Sequence, residues 1–152
     1  SPDQAGSLHA VMQFATILPG FVIVPLVKTA RDQRGLAAGL ALSGLLSLAG
    51  LLFAPALAVL WVALFGFGIG GAFVLALAFI GLRTATSHQT ATLSGMTQSV
   101  GYLMSATGPV LLGALHDAAG SWQAVLTVCM IFCVVLAALG LGAGRSIHVS
   151  SK

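Results

Sequence analysis

The chain has almost no charge. Its 152 residues include no glutamate, three aspartates (Asp3, Asp32, Asp117) and six Lys or Arg. Charged residues make up 6% of the chain, against roughly 25% in an ordinary soluble domain. So little charge cannot cover a surface facing water. That scarcity excludes a water-soluble enzyme, a nucleic-acid-binding protein and a disordered tail. Cysteine is scarce too, and Cys129 and Cys133 lie four apart inside an apolar run. They read as small packing residues, not as a disulfide framework.

What the chain has is hydrophobic length. Residues 4–27, 35–82, 84–116 and 118–144 contain no Asp, Glu, Lys or Arg. A transmembrane helix needs about 20 apolar residues. The second run is long enough for two, and Pro55 divides it. The expectation is an all-α, polytopic transmembrane helix bundle in the lipid bilayer, with five spans near 8–27, 36–53, 57–82, 93–115 and 123–143. A β-barrel would show strands of about 10 residues with strict alternation, which these runs lack.

The basic residues set an expected topology. Lys28, Arg31 and Arg34 lie between spans one and two, Arg83 between three and four, and Arg145 and Lys152 after span five. All six fall on one side. The positive-inside rule makes that side cytoplasmic, with the N-terminus out and the C-terminus in. Trp61 and Trp122 sit at the opposite, interfacial ends of spans three and five. Five spans with an exported N-terminus, and neither an initiator Met nor an export signal, lead to the expectation that at least one span precedes Ser1.

Polar and small residues mark candidate functional faces. In span one, Gln13 and Thr16 lie on a stripe with His9 and Gly20 at helical spacing. Gln13 either bonds across helices or lines a cavity. Span two carries Gly35, Gly39, Ser43, Ser47 and Gly50, the pattern of close helix packing. In span three, Gly66, Gly68, Gly70 and Gly71 lie between Phe65 and Phe73. They form either a hinge beside an aromatic path or a face thinned for a neighbour. Gly66, Gly68 and Gly71 also match G-x-G-x-x-G, but no strand precedes them and no acid follows at the required distance, so a dinucleotide site is rejected.

Span four is the most polar. Gln98, Tyr102, Ser105 and Pro109 fall on one face, and Gly108-Pro109 is expected to interrupt the helix. Polar groups at midplane on a Gly/Pro-broken helix suggest a substrate cavity, with structural hydrogen bonding as the alternative. Span five looks peripheral, closed by Gly140 and Gly144. No catalytic constellation or metal-ligand spacing is found, and no cofactor is expected.

Residues 93–102, continued through Gly108-Pro109 to Leu115-His116-Asp117-Ala118-Ala119-Gly120-Ser121-Trp122, resemble the major facilitator superfamily. More narrowly they resemble its cyanate permease and nitroimidazole transporter group, as does Gly81-Leu82-Arg83. The loop Arg31-Asp32-Gln33-Arg34 resembles a degenerate form of the superfamily's inter-helix loop motif. Gly101 with Gly108-Pro109 resembles a shortened glycine-proline antiporter motif, from which antiport does not follow.

The resemblance covers essentially the whole chain. It implies that residues 1–152 are part of a C-terminal transmembrane domain, helices 8 to 12 of twelve. It further implies alternating-access transport of a small solute, with the N-terminal half of the same transporter as partner. Within that reading Gln13, Thr16, Phe65, Phe73, Gln98, Tyr102 and Ser105 are cavity candidates. Gly66, Gly68, Gly70, Gly71, Gly108 and Pro109 are hinge candidates, and Arg31, Asp32, Arg34 and Arg83 form the cytoplasmic loops. The competing expectation is a non-transporting membrane scaffold that packs with a partner bundle.

Overall fold

The computed structural model describes residues 2–145; Ser1 and residues 146–152, including Lys152, lie outside it. The described residues form helices and short turns, with no strand among them. In order they are α1 (Pro2–Ala15), α2 (Pro19–Thr29), α3 (Arg34–Phe53), a 3-10 turn (Pro55–Leu57), α4 (Ala58–Arg83), α5 (Ser87–Ala119) and α6 (Trp122–Ala143). Each expected span is helical. Four stretches are long and apolar enough to cross a membrane: Pro2–Thr29, Arg34–Phe53, Pro55–Arg83 and Trp122–Ala143. The chain is an integral membrane protein. At 33 residues, α5 is the longest helix, but its Ser, Thr and Gln content keeps it outside that apolar set.

Prolines act differently at two places along the chain. The first span divides into α1 and α2 at Thr16–Leu18. Pro19 has no N–H for the Ala15 carbonyl, and it begins α2, where its fixed φ suits a first helical turn. The intervening turn is held by tighter bonds, from Ile17 N to Phe14 O and from Gly20 N to Ile17 O, each 3.2 Å. At Gly108-Pro109, by contrast, the expected interruption is absent. Helix α5 runs unbroken from Ser87 to Ala119 with Pro109 inside it. A proline removes one hydrogen bond, and the turns on both sides still propagate the helix.

Helix α5 has strong signals at both ends. Thr86 Oγ1 accepts from Gln89 N at 3.2 Å, and Gln89 Oε1 accepts from Ala85 N at 2.9 Å. This reciprocal pair is close to a capping box. At the other end Gly120 adopts a left-handed φ of 64° and its N–H donates to His116 O at 2.8 Å. His116 and Trp122 stack with ring centroids 4.1 Å apart, tying the α5–α6 turn.

Helix α4 is the hub. It packs on α1, α2 and α3, while α3 also packs along α6. Its glycines make this possible. A Cβ on Gly66 would overlap the Met12 carbonyl, and one on Gly70 would overlap the Thr16 backbone. One on Gly68 would meet Ser43, and one on Gly71 would meet Leu40. Two pairs of glycines thus admit α1 and its break on one side and α3 on the other. Ile23, Ala37, Leu40 and Leu75 form the adjoining buried core.

Helix α3 departs from the expected pattern. Ser47 is fully buried and donates to Ser43 O at 2.6 Å, and Gly50 lies under the Trp61 ring. Gly35 and Gly39 instead face open space. The close approach comes from α6: a Cβ on Gly140 would lie 2.8 Å from the Ala37 Cβ, and one on Gly144 would lie 2.7 Å from Arg34 N.

These contacts generate a prediction. Gly70→Val in the complete protein should lower the melting temperature in detergent, because the Thr16 backbone cannot yield as a side chain would; overpacking of this kind costs about 1–3 kcal/mol. Gly101→Ala, which meets nothing within 4 Å, should melt as the parent does.

Candidate functional site

The polar face of α5 meets the far half of α4 across an open groove. Phe73, Leu77, Phe79, Ile80 and Arg83 line one wall, and Thr97, Gln98, Gly101, Tyr102 and Ser105 line the other. Its volume is about 610 Å³, within the range of small-molecule sites. Four of the seven cavity candidates, Phe73, Gln98, Tyr102 and Ser105, therefore share one groove.

The other three lie elsewhere. Phe65 lines a second apolar cavity of about 550 Å³ with Leu40, Gly44, Cys129, Phe132 and Cys133. Phe65 and Phe73 thus do not flank a common path. Thr16 sits at the α1–α2 break, and its hydroxyl donates to Gln13 O at 2.6 Å. Gln13 itself is exposed on α1, away from the groove. Both cysteines are free.

Within the groove the polar side chains are unequally satisfied. Thr97 Oγ1 donates back to Leu93 O at 2.9 Å, the ordinary way a helical threonine is paired. Gln98 Nε2 donates to Ser94 Oγ at 3.3 Å on its own helix. The Tyr102 and Ser105 side chains make no hydrogen bond among the described residues, and Tyr102 is 67% exposed. Tyr102 therefore presents a flat ring and a free hydroxyl.

One charged residue closes the groove. Arg83 was expected only in a cytoplasmic loop, yet it lines the same groove as Tyr102 and Ser105. The signal was present: Phe73, Leu77, Ile80 and Arg83 recur at helical spacing along α4. Arg83 Nη2 donates to Gln33 Oε1 at 3.0 Å and to Ala143 O at 3.3 Å. Its guanidinium carbon lies 5.7 Å from the Phe79 ring centre. Its Nε is buried without a hydrogen-bond partner.

Arg83 belongs to a corner where three helix ends meet. Gln33 N donates to Gly144 O at 3.1 Å, and Arg83 reaches the neighbouring Ala143 carbonyl. Together they satisfy carbonyls that the end of α6 leaves open. The start of α3 also meets the end of α6, so opposite helix dipole ends are adjacent. Arg34 and Arg145 join this end through Gly144, and Lys28, Arg31 and Asp32 join it through the short α2–α3 loop. Asp32 Oδ1 accepts from Arg34 N at 3.3 Å. All basic residues of the described chain therefore gather at one end. Among the described residues no group of His, Cys, Asp and Glu is arranged to hold a metal ion.

The buried amide of Gln33 yields a prediction. Gln33→Ala removes the acceptor of a charged donor, a change that costs about 1.5–3 kcal/mol. Its melting temperature in detergent should fall, while Arg31→Ala, at an exposed loop position, should leave it near the parent value.

Comparison with known proteins identifies the kind of chain. It is 50% identical over 145 residues to the 2-nitroimidazole transporter of Escherichia coli (strain K12), covering 95% of this chain and 37% of that protein. It is 50% identical over 105 residues to a protein of Thauera aromatica provisionally named an anionic 4-hydroxy-benzoate permease, covering 69% of this chain and 64% of that one. It is 39% identical over 147 residues to the uncharacterized transporter YycB of Bacillus subtilis (strain 168), covering 95% of this chain and 37% of the relative. No family model matches the chain, and no solved structure matches it. The chain spans under two-fifths of the length of two of these relatives. The chain is thus a homologue of bacterial proteins named as transporters and as a permease.

Proposed function

We propose that the chain is part of a secondary transporter that moves a small solute across the cytoplasmic membrane by alternating access. The observation that carries this reading is the α4–α5 groove, where Phe73, Gln98, Tyr102 and Ser105 converge in a chain homologous to named transporters. In this reading the described helices, with α1 and α2 as one span, are helices 8 to 12 of twelve. The N-terminal half of the same protein faces the groove. The basic end lies in the cytoplasm, as the positive-inside rule requires.

The groove offers an apolar wall from α4 and hydrogen-bonding groups from α5. That pairing suits a compact ring bearing polar substituents. Two relatives are named for such compounds, 2-nitroimidazole and 4-hydroxybenzoate. Gln98 and Tyr102 would orient the polar substituents, and Phe73 would meet the ring. Gly108-Pro109 leaves the Ser105 carbonyl without its usual helical donor. The helix can bend there without breaking a further bond, so it serves as a hinge in this reading.

The test is uptake of labelled 2-nitroimidazole by cells expressing the complete transporter. Gln98→Ala and Tyr102→Phe should each reduce uptake about two- to tenfold, the effect of losing one neutral hydrogen bond, with membrane expression unchanged. Parental uptake in both variants would remove the groove from the transport path.

A further inference from the structure

We propose that Cys129 and Cys133 form a dithiol site, in the cavity bordered by α3, α4 and α6, that captures an uncharged trivalent arsenical bearing a compact apolar group. The site is separate from the α4–α5 groove, with which this cavity shares no lining residue, and does not depend on the transport reading. Both cysteines are free and half-buried, and both line the cavity of about 550 Å³. They stand one turn apart on α6. Helix geometry puts such side chains on one face, with Cβ atoms about 5–6 Å apart. Helix α3 leaves room beside the second thiol: a Cβ on Gly44 would lie 3.4 Å from Cys133 Sγ.

The spacing selects the chemistry. A disulfide brings its Cβ atoms to about 3.5–4.5 Å, closer than the helix holds this pair. A direct S–S bond would therefore distort α6, whereas one atom bridging the two sulfurs spans the gap. Zinc ordinarily takes four ligands, and the cavity does not supply them. Beyond the two thiols its one heteroatom side chain is the thioether of Met104, and no lining side chain among the described residues carries nitrogen or oxygen. A soft monovalent ion held by two thiolates would keep a net negative charge against apolar walls, which is costly. Trivalent arsenic avoids both problems. Two sulfurs and one carbon group complete its three bonds, and the product is neutral.

The capture step balances without a further reagent. Hydrated phenylarsine oxide carries two hydroxyls on arsenic. Two As–O bonds and two S–H bonds break, two As–S bonds form, and two water molecules leave. Arsenic remains trivalent, so no oxidant or reductant is needed. Every species is uncharged, so no ion is created beside the apolar walls. Phe65 and Phe132 give faces on which an aryl group can pack. Phe132 is 62% exposed, so the cavity opens beside it to a ligand dissolved in lipid or detergent. Once one As–S bond has formed, the second forms within the same molecule, so a pair of thiols holds arsenic far longer than either alone.

The test measures arsenic retained by the complete, reduced protein in detergent. The protein is treated with phenylarsine oxide and gel-filtered in excess monothiol, and its arsenic is counted by elemental mass spectrometry. The double variant Cys129→Ala/Cys133→Ala gives the background from the rest of the protein. The parent should retain one more arsenic per molecule than this variant and release it to a dithiol. Cys129→Ala and Cys133→Ala alone should each fall at least about tenfold toward background, because the second bond is lost. If one single variant does not fold, the other carries the comparison. Phenylarsine oxide with a carboxylate on its ring should be retained at least about tenfold less by the parent, since its charge would enter an apolar cavity without a partner.

Equal retention by the parent and the double variant would overturn the proposal. So would full retention by a single variant, which would show that one thiol suffices. Retention of the charged reagent as strong as that of the neutral one would place the reacting thiols outside the apolar cavity, and would overturn it too.

Discussion

The architecture depends on backbone-to-backbone contact along the middle of α4. In a bilayer there is little hydrophobic gain from bringing helices together, since lipid tails are as apolar as leucine. Association has to come from close packing. Gly66 and Gly70 let α4 touch the broken first span, and Gly68 and Gly71 let it touch α3. The glycines alternate between two neighbours because successive helical positions are rotated by about 100°. A single short segment therefore fixes three helices relative to one another. Helix α3, once seated, carries α6 through Gly140 and Gly144.

That arrangement also explains the groove. Helix α5 brings no buried residue to the bundle. It is tied mainly at its ends, by the capping residues before Ser87 and by the Gly120 turn with the His116–Trp122 stack. Between these ties it stands off from α4. Most of its Thr side chains are paired to carbonyls of their own helix, so they do not require a neighbour. Polarity in α5 is therefore compatible with an open face. Tyr102 and Ser105 have no side-chain hydrogen-bond partner among the described residues, and both lie along the groove.

The sequence was legible where one physical signal acted alone. Apolar length and Pro55 marked the helical stretches, because every backbone group must be paired inside the bilayer, but α1 and α5 begin at Pro2 and Ser87, ahead of the expected 8 and 93. The basic residues marked one common end, and the glycine cluster marked a special segment of α4. Legibility failed where a neighbour decides the outcome. Gly35 and Gly39 have the same spacing as Gly140 and Gly144, yet only the second pair meets a helix among the described residues. Pro19 and Pro109 are the same residue type, but only the first coincides with a break. Periodicity does place Gln13 on a stripe, but it cannot tell which other helix that stripe meets.

Arg83 shows the limit most clearly. Reading charge as a boundary marker assigns every arginine to a loop, and by position Arg83 is indeed the last residue of α4. An arginine side chain, however, is long enough to lie along an apolar surface while its head finds polar partners. Arg83 does this over Phe79, and its head enters a corner made by Gln33 and the end of α6. The same residue therefore closes one end of the bundle and borders the groove. Nη2 is engaged by the fold, and Nε is left over.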